Sequence, residues 1–98
     1  MAGGKGKLMI TLSGFLRCRT PEESQTVSHY LPEHQQLSRA EAGCLSFSVT
    51  QTADPLVWRV DESFTDNTAF ALHQQRVAGS EWGRKTAGIV RDYKMSEG

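Results

Sequence analysis

Three ionisable side chains, His34, Glu62 and His73, fall at positions that the hydrophobic patterns of this chain assign to its interior. An unpaired buried polar group costs roughly 1–3 kcal/mol, so a chain that places three of them inward must pair them or use them. A carboxylate beside an imidazole raises the basicity of the ring and fixes its tautomer, which is the arrangement a general base needs near neutral pH. The plain alternative is a Glu–His pair that satisfies itself inside the core. Phe47, Trp58, Phe64, Phe70 and Trp82 supply flat apolar walls for an aromatic ligand, although the same rings serve equally well as ordinary core. Trp82 stands apart from the other four. It lies in Gly79-Ser80-Glu81-Trp82-Gly83, a glycine-flanked segment suited to a lid over a cavity mouth.

Other chemistries find less support. Cys18 and Cys44 form neither a disulfide framework nor a CxxC metal knuckle, and no basic cluster in the sequence activates Cys44 as a nucleophile. His29 and His34 are five positions apart, about 140° around a helix, so they cannot chelate one metal ion. A His34, His73 and Glu62 trio is the one metal arrangement left open. No HExxH, Walker or dinucleotide motif occurs, and no cofactor or metal is expected.

The 98 residues carry 11 Lys+Arg against 11 Asp+Glu, with 38% apolar residues. A chain of this length makes one domain and buries roughly two thirds of its surface, enough for a core but tight for a core plus a large pocket. Balanced charge offers no basic footprint for nucleic acid and no cationic face for a membrane. Two Trp, two Tyr and four Phe argue against disorder. Neither a signal-peptide core nor a membrane-length apolar run is present, so a cytoplasmic location is expected. Residues 1–7 alternate Gly and Lys ahead of a strand-like segment, which reads as a disordered tail rather than a phosphate loop.

The elements that must position these residues follow from periodicity. Leu8, Ile10, Leu12 and Leu16 share one face of a first strand. Thr20-Pro21-Glu22-Glu23 combines an N-cap hydroxyl, a proline at the first helical position and a glutamate three residues after the cap. The helix it starts carries Val27, Tyr30, Leu31, His34 and Leu37 on one stripe. Pro32 predicts a kink or break near Tyr30–Leu31, and Gly43 offers a left-handed stop. Leu45, Phe47 and Val49 alternate with Cys44, Ser46, Ser48 and Thr50 in a second strand. After the Ala53-Asp54-Pro55 turn, Leu56, Trp58, Val60, Glu62 and Phe64 face one way in a third. Thr65 or Asp66 caps a second helix bearing Phe70, His73 and Val77, and Gly79 ends it. Ser80 caps a short segment running to Thr86, and Ile89–Met95 forms the last strand.

The order strand, helix, strand, strand, helix, strand is the α+β, ferredoxin-like βαββαβ arrangement. It sets a four-stranded antiparallel sheet under two main helices on one face. The other face mixes Met9, Phe15, Cys44 and Val57 with Thr11, Ser13, Ser46, Ser48 and Arg59. It is too apolar to rest in water and too polar for a sealed core, so two subunits are expected to pair sheet to sheet as a homodimer.

Three runs of sequence carry a family resemblance. Leu31-Pro32-Glu33-His34 leads to Ser38-Arg39-Ala40-Glu41-Ala42-Gly43-Cys44-Leu45-Ser46-Phe47, and Val60 then opens Asp61-Glu62-Ser63-Phe64, with Ala69-Phe70 and His73 beyond. Over residues 8–95 the chain resembles the antibiotic biosynthesis monooxygenase domain, most of all its short stand-alone quinol monooxygenase-like members. The resemblance implies a dimeric α/β barrel of ferredoxin-like subunits. It also implies cofactor-free oxidation of an aromatic quinol or polyketide-like substrate by dioxygen, in which the protein supplies a base, a dry cavity and anion stabilisation. On these terms His73 or His34 would be the base, Glu62 its orienter, and Trp82 and Phe47 stacking walls. Haem-degrading relatives use a second-helix histidine with an asparagine near the first strand; His73 matches the first, but the lone asparagine here is Asn67. Other relatives isomerise small phosphorylated sugars. The competitor from a different class is a dimeric module that binds a small ligand without turnover.

Overall fold

The computed structural model describes residues 8–98; the tail expected over 1–7 lies outside the described residues. The elements are β1 (Ile10–Arg17), α1 (Pro21–Arg39), β2 (Cys44–Gln51), β3 (Val57–Phe64), α2 (Asn67–Ala78), α3 (Glu81–Lys85) and β4 (Val90–Glu97). The strands lie in the order β2-β3-β1-β4, with every neighbouring pair antiparallel. This is the predicted ferredoxin-like arrangement.

Local signals in the chain place the helix starts. Thr20 Oγ1 accepts from the Glu23 N–H at 3.2 Å with Pro21 in the first turn, and the Glu23 carboxylate accepts in return from the Arg19 N–H at 2.8 Å. Asp66 accepts from the Ala69 N–H at 2.8 Å, and Ser80 from that of Gly83 at 3.0 Å. Apolar burial then seals the layers. Leu12 and Leu16 of β1, Phe47 and Val49 of β2, and Trp58 and Val60 of β3 pack against Val27 and Leu31 of α1, Trp82 of α3, and Ile89.

Several sequence expectations are corrected. Helix α1 continues through Pro32 from Pro21 to Arg39 without a break. Proline removes one bond, to the Ser28 carbonyl, and both residues are exposed, so water can serve that group. The buried stripe of α1 is Ser24, Val27, Leu31, His34 and Ser38, whereas Leu37 is exposed. The helix ends at Ala40 in right-handed geometry, and Gly43 does not have a positive φ. What Gly43 provides is room: a Cβ there would lie 2.3 Å from the Ala69 Cβ of α2.

In β2 the register shifts between Cys44 and Ser46, making Leu45 the extra residue of a bulge. Leu45 is therefore 56% exposed instead of joining Phe47, and Cys44, paired with Phe64, packs on the core instead of on the open face. The gap between Leu12 and Leu16 in β1 is Gly14, at φ 152°, where a Cβ would meet the Asp92 carbonyl oxygen at 2.1 Å.

On the open face the Phe15 ring lies beneath the guanidinium groups of Arg17 and Arg59, 5.0 and 5.4 Å from its centroid. These two arginines pair with Asp92 and Asp61 respectively. Among the described residues no helix is long and apolar enough to cross a membrane.

Candidate active site

Four elements deliver one side chain each to a single place between helices and sheet. Helix α1 brings His34 from its buried stripe, β3 brings Glu62 from its core-facing alternation, α2 brings His73, and α3 brings Trp82. Together with Arg91 and Tyr93 of β4 they line a cavity of about 160 Å³. The strand and helix periods place His34, Glu62 and His73 correctly, and all three are buried.

The pairing within this group differs from expectation. His73 is 3% exposed, and its Nδ1 stands 3.0 and 3.1 Å from the two carboxylate oxygens of Glu41. Its Nε2 faces Glu62 Oε1 at 3.6 Å, beyond direct hydrogen-bond distance. Glu41, not Glu62, therefore orients the ring, because the turn after α1 lies against α2 where Gly43 meets Ala69. Arg76 completes the anchor: its Nε donates to Glu41 Oε2 at 2.6 Å and its terminal nitrogen to Ser38 Oγ at 2.9 Å.

His34 is held differently. Its ring stacks on Trp82 and meets Phe47 edge to face at 5.0 Å, and its Nδ1 is buried without a hydrogen-bond partner among the described residues. Burial, reinforced by His73, Arg76 and Arg91, lowers its pKa to about 3. Burial likewise holds the His73 imidazole below its ordinary range, opposed by Glu41. Glu62 moves the other way: burial, with Glu41 adding to it and Arg91 opposing, raises its carboxyl to about 7. Burial also raises the Tyr93 phenol. A neutral His73 that donates its Nδ1 proton in the hydrogen bond to Glu41 would present the Nε2 lone pair to Glu62. The cavity wall thus carries a carboxyl able to take or give a proton near neutrality.

The aromatic residues divide into two groups. Trp82 lines the cavity, but at 5% exposure it is part of the core and not a lid at a mouth. The short helix α3 is pressed onto the end of α2, where a Cβ on Gly83 would stand 2.0 Å from the Val77 carbonyl oxygen. Phe47 and Phe64 back the His73 ring at 5.9 and 4.9 Å, and Phe70 packs behind Phe64 at 5.4 Å. Trp58 is not brought to the cavity; its Nε1 donates to Ser24 Oγ at 3.0 Å further along the sheet.

The residues missing from the sequence reading are Glu41, Arg76, Arg91 and Tyr93. A carboxylate in the polar turn after a helix looks solvated, and only the nearby Gly43 hinted at a close approach. Among the described residues no group of three His, Cys, Asp or Glu side chains is placed to hold a metal ion.

The fold and sequence have relatives. The family model for antibiotic biosynthesis monooxygenase matches residues 9–84. Among solved structures, a candidate antibiotic biosynthesis monooxygenase from Nitrosomonas europaea is similar with TM-score 0.74 and 18% identity, over 94% of this chain and 88% of that one. A Pseudomonas aeruginosa protein aligns with TM-score 0.67 and 20% identity, over 94% and 92%. A conserved Bacteroides thetaiotaomicron protein of unknown function, suggested to be an oxidoreductase, aligns with TM-score 0.71 and 16% identity, over 94% and 99%. At these identities the structural likeness establishes the fold alone. No curated protein matches the sequence significantly. The match of the family model across most of the chain, on a fold that its sequence patterns independently predict, makes this protein a member of the antibiotic biosynthesis monooxygenase family.

Proposed function

We propose that the protein is a cofactor-independent monooxygenase that oxidises a small aromatic quinol or polyketide-like phenol with dioxygen. The observation that carries this reading is the Glu62 carboxyl facing His73 Nε2 across 3.6 Å on the wall of an aromatic-sided cavity. Glu62 is the base that removes the phenolic proton, since its carboxyl titrates near 7. His34, with its pKa lowered to about 3, serves as a neutral wall. The electron-rich phenolate then reduces dioxygen itself, and the protein excludes water and holds charge.

Arg91 is fixed by bonds to the Thr86 and Ile89 carbonyl oxygens at 2.7 and 3.0 Å, which leaves a guanidinium charge beside the forming phenolate. The cavity lies below the ~300–1,000 Å³ of drug-sized sites, which favours one or two fused rings. A haem-ligating role for His73 does not fit, because both ring nitrogens face carboxylates.

The reading also takes the protein as a homodimer joined through the open sheet face around Phe15. Each subunit is then left its helix side for the cavity. Sedimentation at micromolar concentration should give a dimer, and a monomer there removes this part.

The catalytic reading is tested with hydroquinone and naphthoquinol substrates, in air and under nitrogen. Oxygen uptake and quinone formation are expected to exceed the buffer control in air, and to fall at least tenfold in Glu62→Gln and in His73→Ala. Saturable binding with uptake no faster than buffer across these substrates would assign a binding module instead.

A further inference from the structure

His73 stands between two spaces. On one side it lines the inner cavity with Glu62. On the other its Nδ1 meets Glu41, which lines a separate surface depression of about 260 Å³ with Gly43, Ala69, Leu72 and Arg76. Three proton-carrying groups therefore run in line from the interior outward: Glu62 Oε1, 3.6 Å to His73 Nε2, then Nδ1 at 3.0 Å to Glu41 Oε1. The inner gap is within a small side-chain adjustment of a hydrogen bond, of the kind that closes when substrate binds.

We propose that Glu41 is a positioning and proton-accepting residue, and that Glu62, His73 and Glu41 form a proton path between the inner cavity and the outer surface. The inference rests on Glu62 being the base of the oxygenation. In the first half of the reaction the phenolic O–H breaks and its proton goes to Glu62. Glu62 passes a proton to His73 Nε2 while the Nδ1 proton moves to Glu41, and the electron pair stays on the substrate as phenolate. A hydrogen-bearing ring carbon conjugated with the phenolate, which in a quinol is the one ortho to it, bonds to dioxygen and is oxidised, and the oxygen is reduced to a peroxide anion. In the second half the proton returns from Glu41 through His73 and Glu62 to the peroxide. The O–O bond breaks, the carbon keeps one oxygen as a carbonyl, and its C–H proton leaves with the departing hydroxide as water. One proton is lent and returned, so His73 ends as the Nδ1–H tautomer in which it began.

The groups facing His73 are Glu41 from the turn after α1, Glu62 from β3, His34 from α1 and Arg76 on its own helix. Arg91 and Tyr93 of β4 share the cavity with Glu62. Ring-nitrogen NMR of the ¹⁵N-labelled full chain, with His29→Gln and His34→Gln to identify signals, reads the path without substrate. Wild-type His73 is expected as the Nδ1–H tautomer near neutral pH. Glu41→Gln is expected to keep that tautomer, because an amide oxygen still accepts the hydrogen bond. It is also expected to move the titrations of His73 and Glu62 to lower pH, because the Glu41 charge is gone.

In the naphthoquinol assay Glu41→Gln is expected to lower kcat roughly tenfold or more with KM within about twofold, and Glu41→Asp to recover part of the loss. A resting Nε2–H tautomer overturns the path, as do titrations and kcat that do not change in Glu41→Gln. A wild-type protein that turns over no quinol yet shows the expected tautomer and shifts removes the oxygenase reading and leaves the hydrogen-bonded path supported.

Discussion

His34 and Trp82 lie ring on ring, with centroids 4.4 Å apart and planes 2° from parallel. The pair joins α1 to α3 and forms one wall of the cavity that Glu62 and His73 line, so stability and site geometry depend on the same contact. Removing the indole should be costly. Trp82→Ala is expected to destabilise the fold by roughly 3–5 kcal/mol in denaturant titration. Trp82→Phe should lose less, because a ring remains to stack on the imidazole.

Acid should act through His34. Its folded pKa of about 3 lies below the ordinary imidazole value of 6.5, so the unfolded chain binds the extra proton. Stability from this group is present above about 6.5 and is lost as pH falls toward 3. Melting temperatures of wild type and His34→Gln, compared from pH 7 to pH 4, should show wild type losing more on acidification.

Glu62 acts with the opposite sign. Its folded pKa of about 7 lies above the ordinary carboxyl value of 4.5, so the folded state binds the proton more tightly. Its contribution is fully present below about 4.5 and is lost as pH rises through 7. Glu62→Gln should therefore be more stable than wild type at pH 8, by roughly 1–3 kcal/mol, with the difference vanishing near pH 4.5. Equal stability at pH 8 would contradict the burial of an ionised carboxyl.

Gly43→Ala should drive a Cβ into Ala69, 2.3 Å away, and push the Glu41 turn off α2. The expected cost is roughly 1–3 kcal/mol, together with a weakened His73 Nδ1 hydrogen bond seen by ring-nitrogen NMR. Ala69→Gly in the same chain should restore part of both effects, and a double-mutant cycle measures the coupling.

Ser24 separates the fold from the site. Its hydroxyl donates to the Pro55 carbonyl oxygen at 2.7 Å and accepts from Trp58 Nε1 at 3.0 Å. Ser24→Ala leaves a buried indole N–H without a partner, at roughly 1–3 kcal/mol in denaturant titration. Quinol turnover at low temperature should be unchanged, because Trp58 does not line the cavity.

The sequence alone determined the element order, the helix starts at Thr20, at Thr65 or Asp66, and at Ser80, the core face of β3, and the inward placement of His34, Glu62 and His73. These are local matters, set by capping chemistry and by side-chain periods that do not depend on distant residues. Where contacts cross elements, patterning stops short. Leu45 fits the alternation of β2, yet a bulge expels it and turns Cys44 inward. Pro32 predicts a break, yet the packed face of α1 carries the helix through. Only the tertiary structure decided that Glu41, from a turn that reads as solvated, would hold His73, because that depends on how closely Gly43 lets the turn approach Ala69. It also decided the electrostatics of the site. Glu62, with its carboxyl raised to about 7, and His34, with its pKa lowered to about 3, owe these values to burial among neighbours from four different elements, which no local spacing encodes.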